Sequence, residues 1–204
     1  MPTRPLALAA GLVGLGVIVV ASLAYRGPFG AERPERAALR GSPAAAHEEL
    51  ERLEGTVPSG GPRDDGLWRA HLDVVLRELE HGHLDVAIRA WRDAYGAALA
   101  SRGWEGMIAV GDVFLAIGRA SGTARGARMN ARDAYLVAVI RARRDRSVDG
   151  ALRSAEAFRE LDDRALAEQS LRIAGQLADG DELAQQRVRE AWRHWTAPPT
   201  LTDF

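Results

Sequence analysis

The stretch Ala131-Arg132-Asp133-Ala134-Tyr135-Leu136-Val137-Ala138 decides the fold. A small residue is followed four positions on by a large one and three further on by another small one. All three therefore lie on one stripe of a helix with 3.6 residues per turn. The same triplet recurs upstream as Ala87, Trp91 and Ala94, and downstream as Ala167, Leu171 and Ala174. In two of the segments preceding these helices a small residue sits three before an aromatic: Gly111 with Phe114, and Ala155 with Phe158. Packing explains the pattern. Small side chains let two antiparallel helices approach, and the large one fills the groove beside them. The register is self-consistent: Ala94 to Gly111 and Ala138 to Ala155 are each 17 residues apart. Ala131 to Ala167 spans 36 residues and Ala87 to Ala131 spans 44, the extra eight falling between the helices of the second unit.

Working outward from these triplets, apolar residues at helical spacing alternate with turns rich in Gly and Asp. The pattern predicts seven helices, over 66–80, 83–100, 104–119, 128–143, 148–161, 164–178 and 182–195. No run alternates apolar with polar β-branched residues, so the fold class is all-α. Asp65, Ser147 and Asp181 are expected N-caps. In the last helix Ala184, Val188, Ala191, Trp192 and Trp195 form one apolar stripe, suited to cover the open end of a stack of helix pairs.

The spacing resembles the tetratricopeptide repeat (TPR) family. The third unit matches at Ala155, Phe158, Ala167, Leu171 and Ala174, and the second at Gly111, Phe114, Ala131, Tyr135 and Ala138. The first matches at Gly82, Ala87, Trp91 and Ala94, but Val75 and Glu78 stand where the family has a small residue and an aromatic. No unit has the family's usual Pro near the end of its second helix. The resemblance implies a TPR-like α-solenoid over 66–196, with antiparallel helix-pair repeats, about three of them, and a C-terminal capping helix.

It further implies a partner-binding groove lined by the first helix of each unit. Carried onto this sequence, the groove positions are Arg69, Leu72, Leu76, Leu79 and Glu80; then Glu105, Ile108, Asp112, Leu115 and Ala116; then Asp149, Leu152, Glu156, Arg159 and Glu160. Six carboxylates, two Arg and a run of aliphatic side chains suit an apolar helix or extended peptide bearing basic residues. The basic clamp by which some TPR proteins hold an acidic peptide end is missing. The competing reading has Leu72, Leu76 and Leu79 packing against the tether or a neighbouring helix.

N-terminal to the repeats, Leu6 to Tyr25 is a run of twenty residues without a charge, flanked by Arg4 and Arg26. About 20 apolar residues cover a hydrocarbon core of roughly 30 Å. Residues 1–26 are thus expected to be a membrane anchor, a transmembrane helix entering the lipid bilayer through residues 6–25. A cleaved signal peptide is the rival reading, because Ser22-Leu23-Ala24 offers small residues at a peptidase spacing. The expected location is a bacterial inner membrane, single-pass, with the helical domain extracytoplasmic. Arg26, Arg33, Arg36 and Arg40 argue for the opposite orientation. Residues 27–65, rich in Pro and Gly, are expected to be a flexible tether with a possible short helix over Ala44 to Leu53, and residues 197–204 a C-terminal tail.

Composition removes several chemistries. The 204 residues contain 27 Arg and no Lys, 28 acidic residues and no Cys, for a net charge of -1. There is no disulfide or thiolate site, no Gly-Lys-Ser or Gly-Lys-Thr phosphate loop, and neither Gly-x-Ser-x-Gly nor His-Glu-x-x-His. A dedicated nucleic-acid binder would usually be strongly basic. His81-Gly82-His83-Leu84-Asp85 offers metal-ligating residue types, but in a tight turn where polar residues are expected anyway. Asp162-Asp163 suits the N-terminus of the helix that follows. No catalytic residue, metal ligand or cofactor is assigned.

A basic surface is expected from Arg119, Arg125, Arg128, Arg132, Arg141, Arg143, Arg144 and Arg146, facing anionic headgroups or an acidic subunit. Its alternative is a solvated face, with Asp133 and Asp145 pairing locally. The function these readings imply is a non-catalytic interaction scaffold or assembly factor, tethered to a membrane and acting on a membrane-associated protein or peptide. A permanent accessory subunit of a membrane complex is the alternative, and a metal-binding or enzymatic domain at His81 and His83 the third.

Overall fold

The computed structural model describes residues 43–54 and 65–196. The expected anchor and the tail from 197 lie outside the described residues, as do 27–42 and 55–64 of the tether. The described residues form eight α-helices and no strand: α1 Pro43–Glu54, α2 Asp65–Glu80, α3 Leu84–Ala100, α4 Glu105–Ser121, α5 Ala124–Arg144, α6 Val148–Glu160, α7 Arg164–Leu177 and α8 Glu182–Thr196. Helices α2 to α8 correspond to the seven expected from apolar spacing.

One difference is instructive. The eight extra residues of the second unit do not form a loop. They lengthen the hairpin, so that α4 and α5 run 17 and 21 residues while α6 and α7 run 13 and 14. The extension packs closely enough that a methyl group at Gly118 would lie 2.2 Å from the Ala127 Cβ. Small residues at both positions make the longer hairpin possible.

Helix ends follow a repeated device. Gly82, Gly122, Arg146 and Asp162 have φ between 54° and 75°. In each case the next amide returns to a carbonyl five residues back: His83 to Glu78, Thr123 to Gly118, Ser147 to Ala142 and Asp163 to Phe158, at 2.8–3.0 Å. This closure satisfies carbonyls that a helix end leaves unpaired and reverses the chain in a short turn. Ser147 and Asp181 cap as expected, accepting from the Gly150 and Ala184 amides. Asp163 caps α7 through the Leu166 amide. Asp65 is itself the first residue of α2.

The core is built from the triplets. Ala87, Ala94, Ala131, Tyr135, Ala138, Ala167 and Ala174 are all completely buried, and Leu171 nearly so. Helices pair as α2 with α3, α4 with α5 and α6 with α7, and each pair packs on the next. The two junctions use equivalent contacts: Trp91 of α3 meets Phe114 of α4 at 4.1 Å between ring centroids, and Tyr135 of α5 meets Phe158 of α6 edge-on at 5.9 Å. A methyl group at Gly111 would come within 2.4 Å of the Tyr135 ring, so this position requires the smallest residue. Helix α8 packs on α6 and α7, burying Ala184 and Val188.

Candidate protein-interaction faces

The first helices of the three pairs share a face, since α2 packs on α4 and α4 on α6. Of the expected groove residues, Leu72 and Ile108 are buried at 6% and 4% and belong to the core rather than to a binding surface. Leu76 is 45% exposed. Leu79, Glu105, Leu115, Ala116 and Leu152 are half-buried, while Arg69, Glu80, Asp149, Glu156, Arg159 and Glu160 are exposed.

Asp112 joins two side chains on this face. It accepts from the Tyr135 hydroxyl at 2.6 Å and from Arg153 at 2.7 Å. Burial, reinforced by the adjacent Asp112 charge, pushes the Tyr135 phenol far above its ordinary range, so it remains a donor. Arg153 also reaches Glu156 at 3.4 Å and Glu160 at 3.9 Å, tying α4 to α6 across the face. Asp149 pairs with Arg187 of α8. Four of the six expected carboxylates are therefore already matched. Glu80 and Glu105 make no ion pair among the described residues. Neither Arg153 nor Arg187 was singled out by sequence. The signal for Arg153 was its position three and seven residues before Glu156 and Glu160, one helical stripe.

Most of the expected basic surface lies on α5, with Arg119 on α4 and Arg146 in the turn after α5, and at Arg141 the structure corrects the expectation. Arg141 is 1% exposed and is a core residue. Its guanidinium donates to the Ala98, Leu99 and Gly103 carbonyls at 2.7–3.0 Å, closing the C-terminal end of α3 and the loop after it. Burial, with a smaller push from Arg144, pulls its pKa down to about 10, so it is still charged at neutral pH. The apolar surroundings were not legible from a run of arginines. Arg128 donates to the Leu161 carbonyl and to Asp162. Arg119, Arg125, Arg144 and Arg146 are exposed.

Arg132 and Arg143 face α1, which lies on α5 and α7. Arg132 forks onto both oxygens of Glu49 at 3.0 and 2.8 Å, while its Nε donates to Asp163 at 2.7 Å. Burial works against the Arg132 charge, but Glu49 and Asp163 outweigh it and raise its pKa. Arg143 reaches Glu54 at 3.3 Å. Between these pairs Leu50 is 3% exposed, against Val139, Ile140 and Ile173. The short helix expected inside the tether is thus part of the helical domain.

The His81–Asp85 turn has its residues engaged locally. His81 Nδ1 lies 2.8 Å from the Arg77 carbonyl, His83 Nδ1 lies 2.9 Å from Glu78, and Asp85 pairs with Arg89 at 2.9 Å. No group of three or more ligating side chains that could hold a metal ion occurs among the described residues. No helix among them is long and apolar enough to cross a membrane, and residues 6–25 lie outside them. Comparison with protein families, characterised proteins and solved structures finds no match for this chain.

Proposed function

We propose that this chain is a membrane-tethered, non-catalytic scaffold or assembly factor whose TPR-like helix pairs receive a basic, partly apolar segment of another membrane-associated protein. The observation that carries the proposal is the face of α2, α4 and α6. It combines exposed Leu76 and half-buried Leu79, Leu115 and Leu152 with the unmatched carboxylates of Glu80 and Glu105. Aliphatic side chains supply contact area, and free negative charge steers a basic partner and discriminates against an acidic one. Equivalent burial of the small residues in all three second helices supports the repeat reading, with α8 as its terminal cap. The charge-free run from Leu6 to Tyr25 supports anchoring in a membrane, which the proposal takes to be a bacterial inner membrane with the helical domain extracytoplasmic.

The test is site-specific photocrosslinking from Leu76 in native membranes, in the natural chain and in a Glu80→Lys, Glu105→Lys, Glu156→Lys variant. Asp112 is left intact because it holds Tyr135 and Arg153. The expected outcome is a discrete adduct that the triple reversal abolishes. An adduct of unchanged yield sinks the charge-guided face. Stoichiometric recovery of the adduct partner in detergent would mark a permanent subunit rather than an assembly factor.

A further inference from the structure

The layer opposite the carboxylate face offers a second recognition surface with the reverse charge. Helix α1 contacts α5 and α7. It is 12 residues long, a length at which an isolated helix is marginal in water. Its hold on the domain comes from a compact pattern, Glu49-Leu50-Glu51-Arg52-Leu53-Glu54. Leu50 is buried in the core and lines one small hollow with Val139, Ile140 and Ile173, Leu53 packs partly buried beside the core, and Glu49 and Glu54 meet Arg132 and Arg143.

The receiving side is organised independently of α1. Arg132 has its Nε held by Asp163, which in turn caps α7. The guanidinium edge that meets Glu49 is therefore aimed outward by a contact within the domain itself. Ten residues connect α1 to α2, among them Gly55, Pro58, Gly60, Gly61 and Pro62.

We propose that the α5–α7 face is a binding groove for an acidic amphipathic helix of the form Glu-Leu-x-x-Leu-Glu. Helix α1 fills it in cis, and a protein partner presenting the same pattern takes it over when α1 leaves. Complementarity of charge selects this occupant: two arginines flank the apolar patch of Val139, Ile140 and Ile173, and the resident helix sets a buried leucine between two glutamates that meet them. A groove of this sign rejects the basic segment proposed for the opposite face, so the two sites discriminate between partners.

A fluorescent peptide of residues 43–54, titrated against the full chain in detergent and followed by anisotropy, tests this. The natural chain should bind it weakly because α1 occupies the site. Leu50→Asp in the chain should bind it at least tenfold more tightly, and so should Glu49→Arg with Glu54→Arg, which releases α1 by charge and covers the case of a misfolded first variant. Adding Arg132→Glu to the Leu50→Asp chain should abolish binding, and a peptide carrying Glu49→Arg should restore it. Equal affinity of the natural and released chains overturns the proposal, as does binding indifferent to Arg132→Glu.

Discussion

The two layers of helix pairs use the same residue, arginine, in opposite ways. In the first-helix layer Arg153 lies at the surface, one-third exposed, and bridges three carboxylates that also face water. In the second-helix layer Arg141 is sealed into the core and Arg132 is nearly so. An exposed ion pair contributes little because water and salt screen it. A buried guanidinium, once its partners are built around it, is costly to remove because those partners are then left without water or donors. Charge counted along a sequence is therefore a poor guide to charge presented at a surface.

The comparison can be broken most severely at Arg141. Arg141→Leu strands the Ala98, Leu99 and Gly103 carbonyls and should cost about 3–5 kcal/mol of stability in urea unfolding. Arg132→Leu leaves Glu49 and Asp163 facing each other and should cost about 2–3 kcal/mol, less because both carboxylates retain some water. It should also expose the bond after Arg52 to trypsin, readable by mass spectrometry. Gly111→Ala tests the packing between the layers: its methyl collides with the Tyr135 ring, and a loss of about 1–3 kcal/mol is expected. Arg153→Leu should change stability by about 0–1 kcal/mol. It should nevertheless strengthen binding of a basic peptide to the first-helix face, more so at low salt, as measured by titration at two ionic strengths.

Much of the domain was legible because its helices announce themselves locally. The triplets at Ala87, Ala131 and Ala167 specify which stripe is buried, and Ser147 and Asp181 mark helix starts through short-range hydrogen bonds. The extra residues of the second unit were visible as a register shift. Whether they formed a loop or more helix turned on a Gly118–Ala127 contact across the hairpin. The docking of α1 was not legible. Two leucines in a polar segment carry meaning only once Arg132 and Arg143 are set beside them, 83 and 89 residues along the chain. Of the expected groove, Leu76 and the outer carboxylates lie at the surface. Leu72 and Ile108 do not, because the shared face of α2, α4 and α6 is packed tightly enough to enclose them.

The long central hairpin of α4 and α5 has a kinetic consequence. Among the described residues it alone is packed by a helix pair on each side, and it supplies Tyr135 to the contact with Phe158 of α6 and Arg141 to the carbonyls at the end of α3. A stack whose units touch only adjacent units opens from its ends inward. Amide hydrogen exchange should therefore be slowest in the middle of α5, faster in α2 and α8, and fastest in α1. The molecule would shed its outer helices while the hairpin at its centre still holds.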